Sequence, residues 1–341
     1  MPLTVIVGGQ FGSEGKGKVA HFMAQEQDAD VAIRVGGSNS GHTVISERGE
    51  ELKFQHLPTA AILPDVTCVL GAGSYIDLDV FEREVDYLGL TPDRVMVDPN
   101  AMVITEDDKE AEREARLQES VGSTLSGTGA ALERRVRRER PRHVAQDEER
   151  LQKFVQPVKS FLRDSLNRGE RIILEGTQGY GLSNLHAPDY PFATSRDTTA
   201  AGFVSEAGIS PIDVGEVVLV LRAFPIRVAG NSGPLPREID WETIKQDAGY
   251  PRPIKEFTTV TGRERRVARF DPDIVKKAIK VNRPTKIVLN HLDYVDYRYR
   301  KTKEATNEVI HFVHNVEESI ENKINFLGYS PSSLSRLSVN A

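Results

Sequence analysis

The sequence has few of the features that mark secreted or membrane proteins. Its single cysteine, Cys68, lies in the apolar run Val66–Leu70, so no disulfide can form within the chain and a buried side chain is expected. No apolar run approaches the roughly 20 residues that cross a bilayer. The first residues also lack the basic segment of a signal peptide. These absences favour a cytoplasmic protein without a membrane partner.

Neither sign of charge dominates the chain. Its 341 residues include 44 Lys and Arg against 50 Asp and Glu, a net charge of −6, so the overall field does not attract polyanions. The length fits one large α/β domain or two smaller ones. Because no linker or internal repeat is evident, we expect a single domain, residues 1–341, with inserted loops.

What the sequence does contain is an alternation of short apolar runs and amphipathic stretches. This pattern predicts an α/β fold with a single large, mostly parallel sheet flanked by helices. The predicted strands are Leu3–Val7, Val31–Val35, Val66–Leu70, Arg171–Leu174, Val217–Leu221 and Lys286–Leu289. The predicted helices are Asp77–Leu88, Gln146–Arg168, Asp271–Asn282 and Glu304–Asn325, with the charged segment Glu106–Glu119 as a solvated helix face.

The strongest local motif follows the first predicted strand. Residues Gly12-Ser13-Glu14-Gly15-Lys16-Gly17-Lys18 fit the G-x-x-x-x-G-K spacing of a phosphate-binding loop, although Val19 replaces the usual Ser or Thr. Glycines let backbone N–H groups converge on phosphate oxygens, and the helix N-terminus and two lysines add positive charge. A tight turn that merely needs glycine is the alternative. We predict a nucleotide-phosphate site whose magnesium ion has a ligand other than residue 19.

A second glycine-rich turn, residues 36–43, follows the second predicted strand and contains His42. A lone histidine is more often structural than catalytic. This one stands in a polar turn that a parallel sheet would place beside the first loop, which makes it a candidate functional residue.

Together the two loops resemble those of the adenylosuccinate synthetases, which read Gly-Asp-Glu-Gly-Lys-Gly-Lys and Gly-x-Asn-Ala-Gly-His-Thr. Further segments resemble the same family, in order, from residue 3 to about residue 331. They are Ser123-Thr124 with Gly127 and Gly129, Val136-Arg137-Arg138, Glu175-Gly176-Thr177-Gln178-Gly179, Tyr190-Pro191-Phe192-Ala193-Thr194-Ser195 with Thr198-Thr199-Ala200, Val260-Thr261-Gly262-Arg263-Glu264-Arg265-Arg266, and Asn290-His291-Leu292-Asp293. The resemblance implies that family's P-loop-like fold and a ligase that joins aspartate to C6 of a purine monophosphate.

The resemblance also implies which residues serve each substrate. The triphosphate would contact Ser13, Glu14, Gly15, Lys16, Gly17, Lys18, Gly41, His42, Thr43, Arg265, Asn290, His291, Leu292, Asp293 and Ser330. The purine monophosphate would contact Ser13, Asn39, Ser123, Thr124, Gln178, Thr194 and Arg263, with Arg138 supplied by the partner of a homodimer. Aspartate would be held by Thr258, Thr259, Val260, Thr261, Gly262 and Arg263. Ser13 and the Gly41 carbonyl are the candidate Mg²⁺ ligands, and Ser13, Lys16 and His42 are the candidate catalytic residues.

One departure from the family pattern bears on the substrate. Ser13 stands where the family has a catalytic aspartate, and a serine there is similar to the phage branch that acts on dGMP in the diaminopurine pathway. Guanine carries a 2-amino group beside N1 that a carboxylate would crowd, and one misplaced group costs ~1–3 kcal/mol. The expected substrates are therefore dGMP, aspartate and ATP. GTP stays open as donor because Asp293 suits guanine, although His291 replaces the family's usual lysine.

Three alternatives remain. An ordinary synthetase would use IMP and GTP, and Ser13 would then mark an impaired enzyme. A phosphate-loop switch would only hydrolyse the triphosphate. The six arginines within residues 133–142 could instead form a nucleic-acid patch, but the acidic balance and the lack of interleaved aromatics argue against it. We expect no nucleic-acid partner.

Overall fold

The computed structural model describes residues 2–258 and 262–337. The strands within these residues are β1 (Leu3–Gly8), β2 (Val31–Gly37), β3 (His42–Ile45), β4 (Glu51–Phe54), β5 (Thr67–Ile76), β6 (Val95–Val97), β7 (Met102–Val103), β8 (Ile172–Glu175), β9 (Val214–Arg222), β10 (Ile226–Arg227), β11 (Glu238–Ile239), β12 (Arg266–Ala268), β13 (Lys286–Asn290), β14 (Phe326–Gly328) and β15 (Leu334–Arg336). The helices are α1 (Lys16–Glu26), α2 (Leu78–Leu88), α3 (Glu106–Glu114), α4 (Leu117–Val121), α5 (Thr128–Arg137), α6 (Val158–Asn167), α7 (Ala200–Ala207), α8 (Trp241–Ala248), α9 (Pro272–Asn282), α10 (Tyr297–Thr302) and α11 (Asn307–Ile320).

A ten-stranded sheet forms the centre of the fold. Its order is β15-β14-β13-β9-β1-β8-β2-β5-β6, with β7 paired to β5. Among these strands only the β14–β15 pair is antiparallel. Because parallel strands end at one edge, the loops after β1, β2, β8, β9 and β13 meet there, as open α/β sheets require of a ligand site.

The central strands are buried throughout because both faces of the sheet are covered. Every residue of β1, β2 and β8 is buried. On one face, Val5, Val7 and Leu174 pack in a core that includes residues of α7, α9 and α11. On the other face, Ile6 and Ile173 pack with the apolar side of α1. Continuous apolar runs of this kind are typical of parallel sheets buried between helices.

The predicted fold class is confirmed, and all six predicted strands lie in this sheet. Helix α9 begins as expected, with Asp271 capping Asp273 N at 3.1 Å and proline in the first turn. Cys68 is fully buried, and burial raises the pKa of its thiol to about 12. Within the described residues no helix is both long and apolar enough to span a membrane.

Three predicted helix bounds were wrong. The stretch 146–168 is helical as α6 only after Pro157, because proline lacks an N–H group and restricts the residue before it. The charged segment 106–119 breaks into α3 and α4 at Arg116, which has a φ of 49°. The last long helix is α11, which begins after its cap Thr306 and ends before Glu321, where the backbone turns left-handed.

Candidate functional site

Two adjoining cavities open where the parallel strands end. The first, about 530 Å³, lies between the two glycine-rich loops, and the second, about 540 Å³, continues toward α4 and residues 190–195. Phe11, Asn39, Thr124, Gln178 and Leu182 line both. The shared walls make one cleft large enough for several small ligands.

The first loop is braced from inside by Glu14. Its carboxylate is fully buried and accepts hydrogen bonds from the backbone N–H groups of Gln10, at 3.1 Å, and Gly12, at 2.8 Å. The other carboxylate oxygen pairs with Lys16 Nζ at 2.6 Å. Ser13 has a φ of 56° and lines the first cavity. The prediction that Glu14 contacts the triphosphate therefore cannot involve its carboxylate, which points into the loop.

The two loops meet at Gly17. A Cβ atom there would lie 2.9 Å from His42 Cβ and 2.9 Å from Thr43 O, closer than real Cβ contacts allow, so only glycine permits this approach. At the next residue, Lys18 Nζ donates to Ser330 O at 2.9 Å, and burial lowers the pKa of Lys18 to about 8. The C-terminal segment thus closes one side of the first cavity.

His42 is held by the buried carboxylate of Glu175, which belongs to a predicted motif but whose pairing with His42 was not predicted. Its Nδ1 contacts Glu175 Oε1, the same oxygen that accepts from Arg34 Nη1 at 2.9 Å. The second oxygen of Glu175 accepts from the backbone N–H of Thr59, at 2.7 Å, and from its hydroxyl, at 2.8 Å. The sequence did contain a signal for this pairing. Arg34 and Glu175 are charged residues within the otherwise apolar strands β2 and β8, and buried charges usually have a partner.

The charges of this group follow from its burial. Burial, and then the nearby Arg34 cation, lower the pKa of His42 to about 4. Burial alone would raise the pKa of Glu175, but hydrogen bonding to His42 and the charges of His42 and Arg34 lower it to about 2. At neutral pH a neutral His42 therefore donates Nδ1–H to an ionised Glu175, and its Nε2 carries a lone pair.

A second buried network, also missed, joins Ser13 to the segment after residue 255. Arg222 is fully buried and donates to Ser13 O at 3.0 Å and to Glu256 Oε1 at 2.6 Å. The other oxygen of Glu256 pairs with Arg265 Nη1 at 2.7 Å, and Tyr294 also donates to this carboxylate, at 2.9 Å. Although burial alone would raise it, the Arg222 charge holds the pKa of Glu256 well below its ordinary value. This network fixes the backbone at residue 13.

Most of the predicted site residues line the cleft. The first cavity is lined by Ser13, Gly15, Lys16, Gly17, Lys18, Asn39, Gly41, His42, Thr43, Thr124, Gln178, Thr258, Arg265, His291, Asp293 and Ser330. The second is lined by Asn39, Ser123, Thr124, Gln178 and Thr194. The two loops and six further stretches, far apart in the chain, are therefore brought together around one cleft.

Other predicted residues are not on the walls of these two cavities. Leu292 is fully buried in the hydrophobic core, and Asn290 is buried where its amide donates to Glu14 O at 2.7 Å. Gly262 and Arg263 are exposed beside Thr258, whose hydroxyl accepts from the Arg263 N–H at 3.0 Å. Leu292 and Asn290 thus support the cavity wall from behind. Residues 259–261, predicted to bind aspartate, lie outside the described residues.

Arg138 lies apart from the cleft. It caps α5 with a φ of 59°, is exposed, and lines a third cavity of about 230 Å³. Of the six arginines within residues 133–142, Arg134, Arg135, Arg137 and Arg142 have intramolecular partners. Three of these four, Arg134, Arg137 and Arg142, pair with carboxylates, which weakens the nucleic-acid interpretation because half of the run's charge is balanced within the chain.

The whole chain resembles one family of proteins. The family model described as adenylosuccinate synthetase matches residues 5–145 and 142–300. The adenylosuccinate synthetase of Methanocaldococcus jannaschii is 37% identical over 325 residues, which cover 92% of this chain and 90% of that protein. That of Methanococcus aeolicus is 34% identical over 339 residues, 97% of each chain.

Two solved structures share the fold. Succinoaminodeoxyadenylate synthetase (PurZ) of cyanophage S-2L, bound to dGMP and to dATP as an energy donor, aligns with a TM-score of 0.82 and 29% identity, over 98% of this chain and 95% of that one. The fully ligated adenylosuccinate synthetase of Plasmodium falciparum aligns with a TM-score of 0.83, over 97% of this chain and 98% of that one. Because the Plasmodium falciparum protein is only 18% identical to this chain, its similarity shows a shared fold and nothing about function.

Proposed function

Because this chain belongs to the adenylosuccinate synthetase family, and so is a ligase that forms a C–N bond with aspartate, we propose that its purine substrate is dGMP. ATP would supply the phosphoryl group, and the products would be ADP, phosphate and 2-amino-2′-deoxy-N6-succinoadenylate. Residues 1–341 would act as one domain in the cytoplasm.

The observation that carries the choice of dGMP is Ser13 at the wall of the first cavity. Its carbonyl is fixed by Arg222 at 3.0 Å, so the side chain starts from a defined point beside the ligand space. A hydroxymethyl group there leaves room for the 2-amino group of guanine, which the aspartate typical of the family would crowd. The similarity to the cyanophage S-2L protein, which binds dGMP, supports the same substrate.

The proposed reaction has two steps. The γ-phosphoryl group is transferred to O6, and the aspartate amine then displaces phosphate at C6. Phosphoryl transfer depends on positioning and on positive charge more than on covalent help. Lys16 and Lys18 would hold phosphates. His42 lines the same cavity with Nδ1–H bound to Glu175, so an acid role requires it first to gain a proton on Nε2.

Magnesium fits this site only together with a bound nucleotide. The described residues contain no group of three or more His, Cys, Asp or Glu side chains able to hold a metal ion. The Ser13 hydroxyl and Gly41 carbonyl, both at the cavity wall, are oxygen donors of the kind Mg²⁺ accepts. Phosphate oxygens would supply the other ligands, and the ion would neutralise charge that develops between the β- and γ-phosphates.

We also propose that the active form is a homodimer. Arg138 is exposed and does not line either cavity of its own chain, so it is free to contact a monophosphate in the cleft of another protomer. Its guanidinium suits phosphate because the planar donors match two oxygens at once.

A second candidate function is that of the ordinary enzyme, with IMP and GTP as substrates. The observation that favours it is identity: the archaeal relatives named adenylosuccinate synthetase reach 37%, whereas the cyanophage protein is 29% identical.

A crossed substrate experiment separates the two. The purified protein is given aspartate with dGMP, GMP or IMP, each with ATP or GTP, and phosphate release and product mass are followed. We expect condensation with dGMP and ATP. Condensation with IMP but not with dGMP would refute the proposal in favour of the ordinary enzyme.

The steric argument has its own test. Ser13→Asp should lower kcat/KM for dGMP at least about ten-fold more than for IMP, since one misplaced group discriminates 10- to 200-fold. Ser13→Ala is the matched control, because it removes the hydroxyl without adding bulk, and it should lower both values by similar factors. Equal losses in Ser13→Asp would show that crowding of the 2-amino group is not the cause.

A further inference from the structure

The turn after β2, residues 38–41, carries Asn39, which lines both cavities of the cleft. The side-chain amide of Asn39 bonds to no other described residue, so its position depends on the backbone of this turn. The second half of the turn is held by Arg34, whose Nη2 donates to Ser40 O at 2.7 Å. Ser38 Oγ is buried but has no hydrogen-bond partner among the described residues, so it does not hold the first half.

The first half of the turn is held by Gln55, a residue that does not line either cavity. Its Nε2 donates to Ser38 O. Gln55 directly follows β4, and β4 pairs with β3 so that Phe54 and His42 are register partners. The hairpin therefore brings Gln55 beside the turn that leads into β3.

A buried carboxylate fixes the backbone from which the Gln55 side chain extends. Glu84 of α2 is only 7% exposed. It accepts hydrogen bonds from the consecutive backbone N–H groups of Gln55, at 2.5 Å, His56, at 3.1 Å, and Leu57, at 2.8 Å. Because these donors share one carboxylate, the backbone at residue 55 cannot rotate without leaving buried polar groups unsatisfied. The side chain of Gln55 thus starts from a fixed point beside Ser38.

We propose that Gln55 is a positioning residue for the purine monophosphate, because its bond to Ser38 O sets the half of the turn that presents Asn39. This inference rests on the proposed function, in which Asn39 contacts the monophosphate. Without the bond, the turn would sample other conformations, and affinity would fall by the fraction of protein that leaves the binding conformation. The half of the turn that leads to His42 keeps its own contacts with Arg34 and Glu175, so triphosphate binding should not change.

The test is Gln55→Met, which keeps the length of the side chain and removes the donor. Titration calorimetry should show that the Kd for dGMP rises about 3- to 10-fold, the range expected for one net hydrogen bond. The Kd for a non-hydrolysable ATP analogue should change by less than about two-fold. Gln55→Ala, which also removes the packing of the side chain, should raise the Kd for dGMP by a similar factor.

Gln152→Met is the matched control. Gln152 Nε2 also donates to a backbone carbonyl, that of Gln146 at 2.8 Å, but Gln152 is exposed and does not line the cleft. This variant should leave both Kd values unchanged.

A double-mutant cycle with Asn39→Ala shows whether Gln55 acts through Asn39. If it does, Gln55→Met should raise the Kd for dGMP by less than about two-fold in the Asn39→Ala background, because the group that it positions is already gone. A residue that merely stabilised the fold would change the Kd by the same factor in both backgrounds.

The outcomes separate this inference from the proposed function. An unchanged Kd for dGMP in Gln55→Met, an equal loss for the ATP analogue, or additive effects with Asn39→Ala would each refute the role of Gln55 and leave the proposed reaction standing. Normal dGMP binding by Gln55→Met together with weak binding by Gln55→Ala would attribute the effect to packing, which also refutes the proposal. If the wild-type protein binds IMP and not dGMP, the proposed substrate is wrong, and the same titrations with IMP then decide the role of Gln55.

Discussion

Glu175→Gln is the substitution that most directly tests how the site is built. The carboxylate accepts from four donors, His42 Nδ1, Arg34 Nη1, and the N–H and hydroxyl groups of Thr59. Arg34 and the Thr59 N–H face different oxygens and can only donate. A glutamine therefore has no orientation that satisfies both, because its NH₂ group has to face one of them.

The magnitude follows from this conflict. Arg34 is 2% exposed, so the substitution leaves a buried cation without its counter-charge, and breaking a buried pair in this way costs about 3–5 kcal/mol. We expect the free energy of unfolding, measured by urea denaturation, to fall by about that amount. Turnover should fall by about 10²- to 10⁴-fold in protein that is still folded, since His42 loses the group that fixes its tautomer.

Glu206→Gln is the matched control. Glu206 also pairs with a buried arginine, Arg196, at 2.8 Å, but burial raises the pKa of Glu206 to about 7. A group that is partly neutral at pH 7 loses little when its charge is removed, so this variant should unfold within about 1 kcal/mol of wild type. If the two variants unfold at the same urea concentration and turn over equally, the account of Glu175 is wrong.

Two further predictions concern pH and assembly. His56 accepts from Asp77 N–H at 3.0 Å, and burial lowers its pKa from 6.5 to about 3, so the folded state binds fewer protons than the unfolded state below pH 6.5. The urea midpoint should therefore fall as pH drops from 7 to 5, and His56→Gln should flatten the change; a midpoint that rises on acidification would contradict this. Arg138→Ala should raise KM for dGMP. Mixing the Arg138→Ala and His42→Ala proteins should restore about a quarter of wild-type turnover, because half of randomly formed dimers contain one chain of each variant and each of these has one intact site of two. No recovery on mixing would exclude a site shared between protomers.

The parts of the fold that follow from local pattern could be predicted from the sequence. Continuous apolar runs such as Leu3–Val7 identified the strands, and glycines at the strand ends identified the two loops. The long helix predicted over 146–168 failed because the apolar spacing continued through Pro157, where the backbone cannot. Pattern gives the period of an element more reliably than its ends.

The supporting residues of the site could not be predicted, because they depend on strand order. Arg34 and Glu175 are 141 positions apart, yet they are register partners because β8 inserts between β1 and β2. The meeting of Tyr250 with Asp293 likewise depends on how α8 and β13 end at the same cavity. These contacts join residues far apart in the sequence, so no local spacing predicts them. The motif residues that line the cleft, in contrast, lie in short segments that can be recognised from the sequence.

The supporting residues share one physical property, which bears on how ligands bind. Three of the cationic or donor groups expected to contact an anion are already paired with a carboxylate that is buried or mostly buried: Lys16 with Glu14, His42 with Glu175, and Arg265 with Glu256. These pairs hold the donors in place before a ligand arrives, which lowers the ordering cost of binding. They also cancel much of the positive charge, so a triphosphate meets a cavity less positive than its lysines and arginines suggest. Positioning, more than net charge, must therefore supply the specificity of this cleft.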